Sequence, residues 1–386
     1  MESLSRVRIE RIEVARLEGE RPRAAGSNAR LGDHGRTVRP QVARVLASDG
    51  SSGFGLTRID EETARDLVGA TLAFAFDPLL SAATGSGGDG RRLSLEYALW
   101  DLIARRRGQP VYLTACEVLG LPAPRTPPSI PCYDTTLYFD DLDLESDAAG
   151  AELIAAEARA GYERGHRAFK IKVGRGARHM EPERGTSRDV AVVRAVREAV
   201  GPGPEIMIDA NNGYTLNLTR RVLDQLADCR LHWIEEPFHE DPVLYADLRE
   251  WLERRSLRIL LADGEGYASP ALEECAERGL IDVLQRDIVS PGFSRWLHLG
   301  RHTPAIPAPH HYGTGLGNMV SGHLAGAVPR LAFLEWDEAA FAAVDASAYR
   351  VEEGRVTLPH GPGFGLGLDA ERFARSVRES GFSVSA

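Results

Sequence analysis

RAFKIKVG, residues 167–174, is a short apolar run with lysines at alternate positions, Lys170 and Lys172. Residues two apart on a strand face the same side. Apolar neighbours predict a strand covered on its outer face, with both ammonium groups pointing into whatever the strand encloses. One candidate strand lies upstream, SIPCYD (129–134), and six follow: EIMIDANN (205–212), LHWIEEP (231–237), RILLADGE (258–265), DVLQRDI (282–288), AIPAPHH (305–311) and LAFLEWDE (331–338). Amphipathic runs lie between them, such as RDVAVVRAVREAVG (188–201), NLTRRVLDQLAD (217–228) and DPVLYADLREWLERR (241–255). Eight strands separated by helices predict a parallel sheet closed as a barrel. A doubly wound open sheet is the rival. Its glycine-rich phosphate fingerprint is missing after the first strand.

In such a barrel the C-terminal end of each strand faces the site. From the third strand on, the strands end in Asp209, Glu235, Glu265, Asp287, His310 and Glu335, at spacings of 26, 30, 22, 23 and 25 residues. Each spacing is one strand–helix unit. A single acidic residue after a strand is often only a helix cap. Six strands in a row delivering an ionisable group to one rim is a site.

Asp209, Glu235 and Glu265 come from adjacent strands, and their convergence needs a cation. All-oxygen ligands favour Mg²⁺ over Zn²⁺. The ADGE turn also offers Asp263 beside Glu265, and the residues alone leave that choice open. Burial, mutual repulsion and the cation are expected to lower the pKa of Lys170 and Lys172, which would make a neutral lysine available as a general base. Asp287 ends the strand before His310 and would hold one imidazole nitrogen, leaving the other for chemistry. The neighbouring His311 must then face elsewhere. The 23 residues from Asp287 to His310 are few for a helix plus a strand. Glu335 would hydrogen-bond a substrate carboxylate if protonated, or brace a neighbour.

Residues 1–125 read as an α+β unit, with an opening strand (6–18), a polar loop (21–36), two strands joined by a Gly/Ser turn, two helices and a glycine-rich connection from Gly85 to Gly90. RTPPSIP (125–131) reads as a linker. The barrel is expected over 126–345, and a tail, 346–386, returning to pack on the first unit. GRGARHMEPERGTSRD (174–189) is longer than the fold needs and is expected to reach over the site. Net charge is −10, with 46 basic and 56 acidic residues, which argues against non-specific nucleic-acid binding. No run is long and apolar enough for a membrane span, and the N-terminus lacks a signal-peptide core, so a cytoplasmic location is expected. Cys116, Cys132, Cys229 and Cys275 form no CxxC pair and are expected as buried thiols.

The quoted motifs resemble the mandelate racemase subgroup of the enolase superfamily. ALWDLIARRRGQPVYLTACEVLG (98–120) is similar to that family's capping helix, FKIKVG to its Lys-x-Lys strand, and IDANNGYT, IEEPF and ADGEG to its metal-ligand strands. LQRDI and APHHYGTGLG are similar to the Asp and His strands, and FLEWD to the final Glu strand. The muconate-lactonizing branch is less similar, because it places a lysine where Asp287 stands. The resemblance implies a (β/α)₇β barrel with a capping domain. It also implies Mg²⁺ as cofactor and removal of the proton α to a carboxylate through an enediolate, with Lys172 as base tuned by Lys170 and His310 acting on the other face. Dehydration of a sugar acid to a 2-keto-3-deoxy acid is the expected outcome. Racemisation or epimerisation of a 2-hydroxy acid is the alternative, and a non-catalytic binding protein the least favoured. Asn211, Arg23 and His34 are expected to contact the substrate. The 21–36 loop is polar rather than aromatic, which suits a hydroxylated ligand. A homo-oligomer is expected.

Overall fold

A computed structural model describes residues 4–87, 90–266 and 268–386; Met1–Ser3 and Gly88–Asp89 of the glycine-rich connection lie outside the described residues. The chain opens with strands β1 (Ile9–Arg16), β2 (Gly19–Ala25), β3 (Gly35–Val38), β4 (Gln41–Ala47) and β5 (Ser52–Leu56). Helices α1 (Glu61–Leu67), α2 (Leu72–Thr84), α3 (Gly90–Leu93), α4 (Glu96–Arg106) and α5 (Val111–Val118) follow. A strand–helix alternation then begins: β6 (Ser129–Leu137), α6 (Asp147–Glu163), β7 (Ala168–Lys172), α7 (Pro182–Val200), β8 (Glu205–Asp209), α8 (Leu216–Gln225), β9 (Leu231–Glu235) and α9 (Pro242–Arg254). It continues through β10 (Leu260–Asp263), α10 (Ala271–Glu277), β11 (Val283–Leu284), α11 (Phe293–His302), β12 (Ile306–Pro307), α12 (Leu316–Gly322) and β13 (Leu334–Trp336).

Strands β6 to β12 pair in sequence order, all parallel, and β13 pairs with β6 on its other side, again parallel. Just before β13, the Ala332 amide donates to the Pro307 carbonyl of β12 at 2.9 Å. Inward residues of seven successive strands form one cluster: Tyr133, Ala168, Met207, Trp233, Ala262, Val283 and Ala308. Side chains from seven neighbouring strands can share one cluster only if the sheet curls towards itself. On β7, β8 and β9 a charged residue follows two positions on, Lys170, Asp209 and Glu235, and this apolar floor lies under them.

The polar loop expected at 21–36 is partly strand. β2 runs through Ala25 and pairs antiparallel with β3. Its inward position 21 holds an arginine, 3% exposed, because Asp337 beyond β13 accepts from the guanidinium at 3.3 Å. A hydropathy pattern cannot reveal an inward arginine whose partner lies 316 residues away. The expected linker also overlaps a strand: β6 starts at Ser129, and its first residues pair antiparallel with Arg355–Thr357 of the tail. The tail then forms a helix (Ala370–Ser380) and a last strand (Phe382–Ser385) that pairs with β1 in a sheet with β4 and β5. The four cysteines are buried and unpaired. No helix among the described residues is long and apolar enough to cross a membrane.

Candidate active site

Strand register brings the first charged residues together. Lys172 pairs with Asp209 and Asp209 with Glu235, so three ionisable groups end adjacent strands at one level. Glu235 pairs with Ala262, which puts Asp263 one residue higher. Asp263 is buried and accepts from the Tyr245 hydroxyl of α9, so it faces away from the mouth. Gly264 then takes φ +132°, a conformation open to glycine, and a Cβ there would stand 3.1 Å from the Arg286 and Gln285 amides. This turn re-aims the chain so that Glu265 reaches the site. Asp209, Glu235 and Glu265 each offer an oxygen within 4.8 Å of the others.

Lys170 Nζ lies 2.6 Å from Glu235 Oε1, 3.1 Å from Glu335 Oε1 and 3.4 Å from Asp209 Oδ2. Lys172 donates to Asp209 Oδ2. Their rings of approach are Tyr133 and Tyr138, whose centroids lie 5.3 and 5.2 Å from the respective ammonium nitrogens. Burial works to lower both lysine pKa values, but the surrounding carboxylates, Glu235 and Glu335 for Lys170 and Asp209 for Lys172, more than offset it and hold both above the usual range. The lowering expected from sequence therefore does not arise from burial and mutual repulsion; the carboxylates dominate. Asp209 is lowered, because both lysines outweigh its burial. Glu235 is raised to about 8, chiefly by burial.

His310 Nδ1 contacts Asp287 Oδ1 at 2.5 Å, while Nε2 points at Glu265 Oε2, 3.1 Å away, and Glu335 Oε2, 3.6 Å away. The pairing exists despite the short spacing because α11 is short and β12 contains two residues. Burial lowers the His310 pKa, but Glu265, Glu335 and Asp287 overcome it and raise it to about 10. The ring of His311 turns away to Thr314 Oγ1, at 2.7 Å, and burial, then His310, lowers it to about 4. Glu335 accepts from the Thr135 hydroxyl at 2.6 Å and the His311 amide at 2.7 Å. Burial would raise its pKa, but Lys170 and His310 hold it ionised, so it is placed as a brace rather than a protonated donor.

Of the three expected substrate contacts, the structure brings two to this cluster. Asn211, at φ +42°, donates its amide to Glu265 at 3.0 Å and Glu236 at 3.1 Å, while its Oδ1 is buried without a partner. His34 stands edge-on to Tyr138 and Tyr312, centroids at 5.0 and 5.4 Å, with Nε2 buried and unpartnered. Burial, then Lys172 and Arg21, lowers it to about 4. Arg23 is not brought there. It ion-pairs with Asp140 at 2.6 Å and Glu157 at 3.1 Å, so its donors are committed elsewhere. The wall around His34 is aromatic, against the expectation from the loop's own composition, because Tyr138 and Tyr312 come from the ends of β6 and β12.

Several site residues escaped sequence reading. Gln285 donates to Glu235 Oε2 at 2.8 Å, and Trp233 Nε1 to the same oxygen at 3.2 Å. Each stands two residues before a charged residue on its strand, Asp287 and Glu235. Shared-face spacing was the available signal.

The charge balance tests whether a divalent cation fits. Five carboxyl groups, Asp209, Glu235, Glu265, Asp287 and Glu335, surround two lysines and one imidazole. Carboxylates this close repel by roughly 3–4 kcal/mol per pair at an effective dielectric of about 20. The carboxyl groups outnumber the cationic groups by two, and the converging donors are all oxygen. Glu265 Oε2 also lacks an aligned hydrogen-bond donor. The site fits a hard divalent cation.

A rim of acid–base groups around a carboxylate triad, at the C-terminal ends of curled parallel strands, defines a cation-assisted proton-transfer site. A family model described as enolase C-terminal domain-like matches residues 153–372, and the chain belongs to that family. A galacturonate dehydratase from Geobacillus sp., solved with D-galacturonate and 5-keto-4-deoxy-D-galacturonate, is 45% identical, with TM-score 0.91 over 98% of this chain and 99% of that one. A mandelate racemase/muconate lactonizing protein from Geobacillus sp. Y412MC10, solved with magnesium and tartrate, is 44% identical, with TM-score 0.92 over 99% and 98% of the chains. The D-galactarolactone cycloisomerase of Agrobacterium fabrum is 29% identical over 72% of this chain and 71% of its own.

Proposed function

We propose that this protein is a Mg²⁺-dependent dehydratase of sugar acids. It takes the proton from the carbon next to a carboxylate and expels the hydroxyl on the following carbon. The observation that carries the reading is the placement of two acid–base systems, Lys172 with Asp209 and His310 with Asp287, on β7 and β12 with the three carboxylate strands between them. The 45% identical relative supports dehydration over racemisation. The product in its crystal has a ketone beside the carboxylate and no hydroxyl on the next carbon, which is what this elimination leaves.

In this reading residues 1–125 with the tail form the cap, and the curled sheet closes as a (β/α)₇β barrel. Asp209, Glu235 and Glu265 would hold Mg²⁺, which when bound would supply positive charge to stabilise the negative charge that develops on the substrate carboxylate. Lys172 removes the α-proton once the charge of the bound cation offsets Asp209 and lowers the lysine pKa. Lys170, tied to Glu235 and Glu335, sets the field around it. His310, its Nδ1–H held by Asp287, presents Nε2–H to the departing hydroxide, so that water leaves and the enol tautomerises to the 2-keto-3-deoxy acid. His34 offers one unpartnered imidazole nitrogen to the hydroxyl-bearing end of the ligand, beside Tyr138 and Tyr312, whose rings stack on each other at 4.9 Å. The test is a panel of acid sugars, D-galacturonate first, assayed for 2-keto acid with Mg²⁺ present. Formation of a 2-keto-3-deoxy acid from one of them is expected. α-Proton exchange with inversion and no keto acid would favour the epimerase reading.

A further inference from the structure

The hydrogen-bond ladder of β7 ends with the Val173 amide donating to the Asp209 carbonyl at 2.8 Å, and what fixes the chain beyond it is a buried group of charges that the reaction does not use. Arg175, 0% exposed, donates Nη1 to the Lys172 carbonyl at 3.3 Å and to Asp189 Oδ1 at 2.8 Å, and Nη2 to Asp141 Oδ1 at 2.7 Å. Asp189, on α7, accepts from the Gly174 amide at 2.8 Å and from the Tyr214 hydroxyl at 2.9 Å. Arg188 closes the set on Asp141 at 2.9 Å and Asp147 at 2.7 Å. Tyr214 follows β8, the strand that ends in Asp209, so Asp189 ties the exits of the base strand and a carboxylate strand to one point.

The same point is where the N-terminal unit docks. Phe139 lies 4.3 Å from the Arg175 guanidinium and pairs through its backbone with Ser27, its amide donating to the Ser27 carbonyl at 2.9 Å. His179 contacts the Asn28 carbonyl at 2.8 Å. The Ala29 methyl sits between two glycines: a Cβ on Gly174, itself at φ +99°, would stand 2.9 Å from it, and one on Gly213 2.8 Å. Residues 27–29 are thus seated on the turns that follow Lys172 and Asp209.

We infer that Arg175, Asp189 and Tyr214 form a positioning device that fixes Lys172 for proton abstraction and is completed by the seated 27–29 segment. The inference rests on Lys172 being the base. A buried ion cluster is weak evidence for stability as such, but one bonded to the carbonyl of the base and to the amide two residues on constrains where that base can stand. A displacement of about 1 Å there costs up to roughly 100-fold in rate.

Tyr214→Phe removes one donor to Asp189 at almost constant volume, and Asp189→Asn removes the charge. With the best acid sugar of the panel and saturating Mg²⁺, each is expected to lower kcat about tenfold or more, with KM changed less than about twofold. α-Proton exchange in D₂O should fall in parallel, and Mg²⁺ affinity by calorimetry, to which Asp209 contributes, should fall much less than kcat. The double variant should be no slower than Asp189→Asn, because both act through one carboxylate. In the Mg²⁺-loaded protein without substrate, the Gly174 amide should exchange hydrogen faster in Asp189→Asn. Unchanged kcat in both variants, multiplicative losses in the double variant, or a loss of Mg²⁺ affinity as large as the loss of kcat would each overturn the inference. Lys172→Ala measured alongside separates the two readings. If it retains exchange, the base is misassigned. If it is inactive while Tyr214→Phe and Asp189→Asn match the wild type, only the positioning device fails.

Discussion

At the scale of single residues the site divides into groups that meet the substrate and groups that aim them. Glu265 has the least internal support of the three carboxylates, a single donor from Asn211 and an unaligned approach to His310. Glu265→Gln should therefore lose Mg²⁺ affinity by at least about 10–100-fold, since changes even behind a ligand cost that much; titration calorimetry gives the value directly. His310→Asn is expected to lower keto-acid formation by about 10²–10⁴-fold while α-proton exchange through Lys172 continues. His311→Asn should retain most activity, because among the described residues that ring hydrogen-bonds to Thr314 alone. Loss of activity in His311→Asn with a wild-type His310→Asn would reverse the assignment. The residues at strand ends were legible because a barrel converts a repeat spacing into a location. Arg23 was not, because its charge suits a substrate and a carboxylate pair equally, and only geometry shows that Asp140 and Glu157 have it.

Helices and strands were readable wherever burial was one-sided, and failed where polar groups are inside. α11 illustrates the second case. Its N-cap, Gly292, has no side chain to offer, and the Glu96 carboxylate of α4 accepts from the Phe293 amide at 3.0 Å and the Ser294 amide at 2.8 Å instead. A cap supplied from 197 residues away leaves no local signature. Glu96→Ala should cost about 1–3 kcal/mol, read from the midpoint of urea unfolding. The turn after α12 makes a pH prediction. His323 is buried, accepts from the Tyr112 amide at Nδ1 (3.2 Å) and meets the Tyr349 hydroxyl at Nε2 (2.8 Å). A proton added at Nδ1 would oppose the Tyr112 N–H, and burial lowers the pKa from 6.5 to about 3. The unfolded chain then binds a proton below about pH 6.5 that the folded chain refuses. Stability from this residue is full above that pH and declines as pH falls towards 3, by up to about 1.4 kcal/mol per unit. His323→Gln should flatten the acid limb of a stability–pH curve; an unchanged slope would refute the assignment.

Over the whole molecule, the cation is expected to act as a structural ligand as well as a chemical one, because five carboxyl groups meet in one place and three of them, Asp209, Glu235 and Glu335, are buried. Raising free Mg²⁺ to about 100 times its dissociation constant should add roughly 2.7 kcal/mol to stability. EDTA should therefore lower Tm by a few degrees as well as abolish turnover. The order of the parallel strands was legible, since each strand–helix unit from Asp209 on repeats at 22 to 30 residues. The partners of β2 and β1 were not. Gly19–Glu20 pair with Ala340–Phe341, and β1 with Phe382–Ser385. Short strands carry too little pattern to name a mate across three hundred residues.

That last pairing sets a timetable. β1 leaves a translating ribosome well before the strand that covers one of its edges, which is made some 366 residues later. At about 5–20 residues per second the interval is roughly 20–70 s. Throughout it β4 can protect one side of β1, while the other stays an unpaired strand edge, open to any nascent chain on the same message. Yield of the native enzyme should therefore depend on how crowded its own polysomes are, and slowing initiation should raise the recovered soluble fraction more than slowing elongation does.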